Sequence, residues 1–141
     1  MAGFSDYMEN EILSWMCKGA AFESAPATLY VDLHTANPGD AGTASVITGT
    51  DYARADITAN SEFGSVTAAG TNAAVGRSVS SSADITFATA GSNWGTASHF
   101  SIWDHATAGN CLATGALGSS VTINQNTQLR IPSGDLTITV T

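Results

Sequence analysis

The chain has 141 residues, enough to bury one continuous core and too few for two comfortable ones. A single domain over residues 1–141 is the expectation. Its charged fraction is 11%, far under the roughly 25% of an average soluble domain, and 4 basic residues face 12 acidic ones for a net charge of -8. The basic residues are scattered, so a surface that tracks nucleic-acid phosphates, which needs many Lys and Arg contacts at once, is excluded.

Residues 1–4 form a short lead that is expected to be loosely held unless another subunit receives it. Ser5 then offers an N-cap hydroxyl, and Asp6, Glu9 and Glu11 put negative charge where a helix macrodipole favours it. Lys18 and Gly19 suit a last turn and a C-terminal stop, so the spacing predicts a helix over about 5–19. Met8, Ile12, Trp15 and Met16 share one face, with Leu13 beside them. The simplest fate for this stripe is packing on the domain's own sheet; the functional one is docking on a neighbouring subunit.

After Pro26 the period changes from helical to two. Leu29, Val31 and Leu33 alternate with Tyr30, Asp32 and His34, which predicts a strand. Ala36-Asn37-Pro38-Gly39-Asp40 ends it as a turn, and small polar residues from Ala41 to Thr50 predict a loop. Alternation resumes from Asp51 to Thr58, with Tyr52, Arg54 and Asp56 opposite Ala53, Ala55 and Ile57. Glu62 to Ala74 is rich in Gly, Ala, Ser and Thr and reads as loop. Arg77 with Val79, and Ile85 with Phe87, mark two further strands, and Trp94 stands at a corner suited to capping the end of a core.

The stretch from Ala97 to Leu117 carries the heaviest apolar load of the C-terminal half. Phe100 and Ile102 alternate with His99, Ser101 and Trp103, and Asp104 to Asn110 supplies a long turn, so a hairpin centred on the core is predicted. In its second half Leu112 and Leu117 have opposite parity, leaving small residues to fill the layers between them. Three alternating runs follow: Val121 and Ile123, then Leu129 and Ile131, then Leu136, Ile138 and Val140. Short strands with turns at regular intervals predict a mainly β fold, an antiparallel β-sandwich of jelly-roll or Ig-like type preceded by one N-terminal α-helix.

Chemistry is weakly represented. His34, His99 and His105 lack metal-ligand spacing, no G-x-S-x-G elbow marks a nucleophile, and no phosphate-binding glycine loop is present. The expectation is no enzyme, no metal and no cofactor. Cys17 and Cys111 also lack metal-type spacing and are expected as free thiols, since neither an export signal nor a membrane span is visible. Arg54, one of few cations in an acidic chain, is expected as an ion-pair partner within or between subunits.

Taken in order, SDYMENEILSWM, ATLYVDLHTANPGDAG, the YAR of Tyr52 to Arg54, WGTASHFSIWDHATAGNCLATGAL and IPSGDLTITV resemble a group of small tailed-phage virion proteins. Members are commonly labelled tail-fibre proteins, and some are similar to capsid cement or decoration subunits. The resemblance covers nearly the whole chain and implies a structural virion protein with a mostly β fold and no catalytic residues. The first expectation is a cement protein, made in the bacterial cytoplasm and bound to the capsid exterior. Its partners would be the major capsid protein and itself, as a homotrimer, with no nucleic acid and no membrane. A fibre subunit is expected to carry an attachment segment or a long shaft, and neither is visible, which sets the tail-fibre reading, with a host surface receptor as partner, second. Tyr52 or Trp94 would stack on sugars in that case. Expected contact residues are Phe4, Tyr7, Trp15, Asn37, Asp40, Arg54, Phe63 and Arg77.

Overall fold

The computed structural model describes residues 3–22, 25–58, 63–68 and 76–140. It is mainly β with a single helix near the N-terminus. In chain order the elements are β1 (Gly3–Phe4), α1 (Asp6–Lys18), β2 (Thr28–His34), β3 (Ala55–Thr58), β4 (Thr67–Ala68), β5 (Arg77–Ser80), β6 (Ile85–Thr89), β7 (Gly95–Trp103), β8 (Cys111–Ile123), β9 (Gln128–Ile131) and β10 (Thr137–Val140).

Every strand pair is antiparallel. The largest sheet has five strands in the order β1-β8-β7-β2-β3, and smaller sheets run β10-β5-β4 and β6-β9. Val31, Leu33, Ile57 and Ile102 of the large sheet meet Ile85, Phe87, Ile131 and Leu136 in one apolar core. The arrangement is sandwich-like, and the β7–β8 hairpin lies at its centre as the apolar load of Phe100, Ile102 and Trp103 predicts.

That hairpin is longer than expected. β8 runs on to Ile123, so Val121 and Ile123 belong to it and are not a separate strand. Two register shifts account for the opposite parity of Leu112 and Leu117. Ile102 pairs Ala113 while Trp103 pairs Cys111, leaving Leu112 as an extra residue, and Ala97 pairs Val121 while His99 pairs Ala116, so Leu117 to Ser120 stand opposite Ser98. Bulges of this kind re-aim side chains and bend the strand.

Both central strands are buried on two faces instead of one. Val31 to His34 and Phe100 to Trp103 are buried without interruption, where alternation predicts a polar, wet side. The second face is covered by the chain between β2 and β3, whose Tyr52 and Arg54 fold back over Asp32 and Trp103. The same fold-back shortens the strand expected from Asp51. Asp51 itself has a left-handed backbone (φ 64°), and strand geometry begins only at Ala55.

Other boundaries differ locally. Gly3 and Phe4 are not a loose lead: they pair with Thr114 and Ala113 of β8. Of the loop expected over Glu62 to Ala74, Phe63 bridges Ser81 and Thr67–Ala68 forms β4, while Glu62 and residues 69–74 lie outside the described residues. Trp94 is buried at its corner, donates Nε1–H to the Thr50 carbonyl and meets Tyr52 edge to face.

Trp103 is buried and donates its Nε1–H to Ser101 Oγ at 2.7 Å. Trp103→Ala removes the ring on which Arg54 rests and leaves a cavity in the doubly covered strand. The expected cost is about 3 to 5 kcal/mol, read as a lowered denaturant midpoint or as loss of soluble expression; an unchanged midpoint contradicts a core role for the ring.

Candidate functional site

Ser5 caps α1: its hydroxyl accepts from Met8 N–H, and it also donates to the carbonyl of Cys111 on β8. Its own N–H donates to the Leu112 carbonyl, freed by the bulge. One residue thus starts the helix and pins it to the sheet edge. At the other end Gly19 adopts φ 66° and returns its N–H to the Ser14 carbonyl, a left-handed stop that a side chain would strain.

The helix lies on the domain without being buried by it. No residue of α1 is buried; Tyr7, Met8, Glu11 and Ile12 are half-buried against the sheet edge. Leu13 is 59% exposed, Trp15 55% and Met16 66%, and Phe22, 46% exposed, packs edge-on to Trp15 beyond the cap. The stripe therefore does not close on the chain's own sheet. At about 100° per residue, Tyr7 and Glu11 point inward while Leu13 and Met16 point nearly opposite. The reason is local: Ser5 fixes the helix rotation at its first turn, and that rotation seats Tyr7 and Met8 beside Leu112. Leaving such side chains in water forgoes roughly 1.5 to 3 kcal/mol each.

Clefts flank the helix on both sides. One of about 250 Å³ is lined by Tyr7, Met8, Phe22, Pro26 and Leu112, with Glu11 and Asp104 at its margin. Another is formed by Phe4, Glu9, Ile12 and Leu13. Around the start of α1 two more clefts share Asp40: Asp6, Tyr7, Thr43, Trp103 and Asn110 line one, and Phe4, Asn37, His99 and Thr114 the other.

Beneath this end lies a closed polar layer. Asp32 accepts from Tyr52 Oη–H at 2.5 Å, from Arg54 Nε–H at 3.0 Å and from Leu33 N–H at 3.0 Å. The Arg54 guanidinium sits 3.9 Å over the Trp103 ring and also donates to the carbonyls of His105 and Ala108 in the hairpin turn. Asp104 accepts from Asn110 N–H and from its side-chain amide, closing that turn. Burial raises the Tyr52 pKa, and the neighbouring Asp32 carboxylate adds to the rise, so the phenol stays a donor.

His34 and Ser101 look like a catalytic pair and are not placed as one. His34 Nδ1–H donates to the Ala44 carbonyl, which can only accept, so Nε2 of the neutral ring accepts from the Ser101 hydroxyl at 2.7 Å. Both residues are 0% exposed, and Ser101 also accepts from Trp103, so the pair is sealed within hydrogen bonds of its own. Every buried side-chain polar atom among the described residues has a partner. Both cysteines are free, Cys17 exposed on α1 and Cys111 buried, its thiol pushed up to about 11 by burial.

Of the residues singled out from sequence, Phe4, Tyr7, Asn37 and Asp40 come together around the start of α1. Trp15 lies at the far end of the same helix. Arg54 resolves as an internal ion-pair partner. Phe63 and Arg77 lie elsewhere: Phe63 packs on the core, and Arg77 starts β5. Trp94 is buried, and the half-buried Tyr52 ring packs edge-on against it with its hydroxyl on Asp32. Sequence reasoning left out Phe22 as a contact. Leu13 and Met16 belong to the helical stripe already visible; only the helix rotation, set by Ser5 on β8, decides that they face outward.

The described residues hold no group of three or more His, Cys, Asp or Glu able to share a metal ion, and no helix is long and apolar enough to cross a membrane. A family model described as Podophage GP4 fiber I protein gp80 matches residues 3–139. The chain belongs to that family and is a phage structural protein of the virion. No curated protein matches it.

The polar layer yields two expectations. Asp32→Ala leaves Arg54 without its carboxylate and should cost about 3 kcal/mol, whereas the double change Asp32→Leu with Arg54→Met should cost clearly less; equal losses in urea titrations would mean that the pair itself matters little. Burial holds the His34 pKa below the ordinary 6.5. Below pH 6.5 the unfolded chain takes up a proton that the folded ring refuses, so stability falls as pH drops from that point toward the folded value. His34→Gln should flatten this slope just under pH 6.5; an unchanged slope contradicts the assignment.

Proposed function

We propose that this member of a podophage fiber family is a structural fiber subunit carried on the outside of the virion, at the tail, where it contributes to contact with the host surface. The observation that carries the reading is the family match over 3–139, which takes in α1, the whole sandwich and the polar layer together. The geometry agrees with a structural role. The sealed Ser101–His34 pair offers no open nucleophile, while the apolar side of α1 offers a surface for protein contact.

A second reading, capsid cement on the outer shell with the major capsid protein as partner, draws on one observation. The described residues fold as a compact sandwich with one core, the shape of a module that sits on a surface. Such a subunit would stabilise the head by binding only the assembled shell.

Antibody raised against the purified chain, gold-labelled and applied to intact virions, isolated tails and tailless heads, separates the two. Label on fibres at the tail, with heads unlabelled, is the expected result. Label spread over heads overturns the tail-fiber reading in favour of cement.

A further inference from the structure

We infer that the cleft between α1 and the β7–β8 turn is a docking site for an arginine side chain of a neighbouring virion protein. The inference builds on membership of a virion protein family and is independent of whether the subunit sits at the tail or on the head. Separate segments wall the cleft: Tyr7 and Glu11 of α1, Phe22 beyond the helix stop, Pro26 before β2, and Asp104 and Leu112 at the two ends of the hairpin turn. Its volume of about 250 Å³ is under the roughly 300 to 1,000 Å³ of a small-molecule site, and it suits one long side chain better than a helix or a strand.

Charge selects the occupant. Between the apolar walls stand two half-buried carboxylates, Glu11 and Asp104. Asn110 engages Asp104 twice, but among the described residues no hydrogen bond or ion pair engages the Glu11 carboxylate. The chain's own bases leave it open: Arg54 and Arg130 are held by Asp32 and Asp84, and Lys18, about two turns along the same side of α1, is exposed and makes no ion pair. A half-buried carboxylate without a partner carries a desolvation cost that an incoming cation offsets. Arginine fits best, because its planar fork meets both Glu11 oxygens while its apolar stem and flat face lie against Tyr7, Phe22 and Leu112. Lysine brings a point charge without the fork. A net charge of -8 favours a basic partner over a second copy, which is repelled.

Amide NMR on the isotope-labelled full chain, titrated with N-acetyl-arginine amide, tests the cleft. Saturable shifts confined to the amides around Glu11, Asp104 and Leu112 are expected. The citrulline analogue, alike in shape but uncharged, should leave them in place, and the lysine analogue should bind more weakly. Glu11→Gln should weaken the arginine probe about tenfold, with circular dichroism and melting temperature unchanged because that carboxylate holds nothing in the fold. Binding of citrulline or lysine as tight as arginine, shifts scattered over the acidic surface, or an unweakened Glu11→Gln variant overturns the site. For the partner, a photo-reactive benzophenone side chain replacing the exposed Phe22 in virions should form an adduct to another virion protein beside one of its arginines. An adduct to a second copy of this chain, to a segment without arginine, or to nothing overturns the partner. None of these results alters where the gold label falls on the virion, so the two readings fail separately.

Discussion

The carboxylate of Asp32 is the group on which the site end of this molecule depends. It projects from β2 away from the apolar core, onto a face that would otherwise be wet, and there it gathers Tyr52, Arg54 and the Leu33 amide. A buried ion pair gives little net stability when compared with apolar packing of the same volume. What it does give is direction. With Arg54 fixed by Asp32 and resting on Trp103, its remaining donors reach the His105 and Ala108 carbonyls, so the hairpin turn and the chain before β3 are tied to one point.

From that knot the position of α1 follows through short covalent and hydrogen-bonded steps. Trp103 precedes the turn that Asp104 closes onto Asn110. Directly after it come Cys111 and the bulged Leu112, whose carbonyls receive Ser5. A one-residue change in that bulge would present different carbonyls to Ser5 and rotate the helix start. The exposure of Leu13 and Met16 is therefore not an accident of a loosely attached helix. It is set by the ladder irregularity at Leu112, beside which Ser5 is held.

Much of this was legible in the sequence, and the misses share one cause. The helix and both its caps follow from Ser5, the first-turn acids, Lys18 and Gly19, all local signals. So do the alternating strands around Val31, Phe87 and Ile102, and the long turn between β7 and β8. Alternation predicts one wet face for β2 and β7; whether that face stays wet depends on residues 20 positions away in Tyr52 and on the Arg54–Trp103 stack, which period-two reasoning cannot see. Likewise the apolar stripe of α1 was plain, yet a hydrophobic stripe only states that something must cover it. Which residues are covered by the chain itself depends on a bulge in β8, and the opposite parity of Leu112 and Leu117 was its one trace in the sequence.

The low charge content takes on a different meaning once the structure is considered. Only 4 residues of the chain are basic; half-buried Arg54 pairs with Asp32, and Arg130 pairs with Asp84. Lys18 is left as the one base on an otherwise acidic helix, which with Phe22 carries four of the exposed large apolar side chains of the described residues. A surface with few charges lets a few of them decide orientation, because no dense field masks their signs. The same economy explains why Asp32 and Arg54 are kept together in the interior. In a chain with so few cations, Arg54 is the one that ties the hairpin turn to the chain before β3, and so fixes the fold at this end.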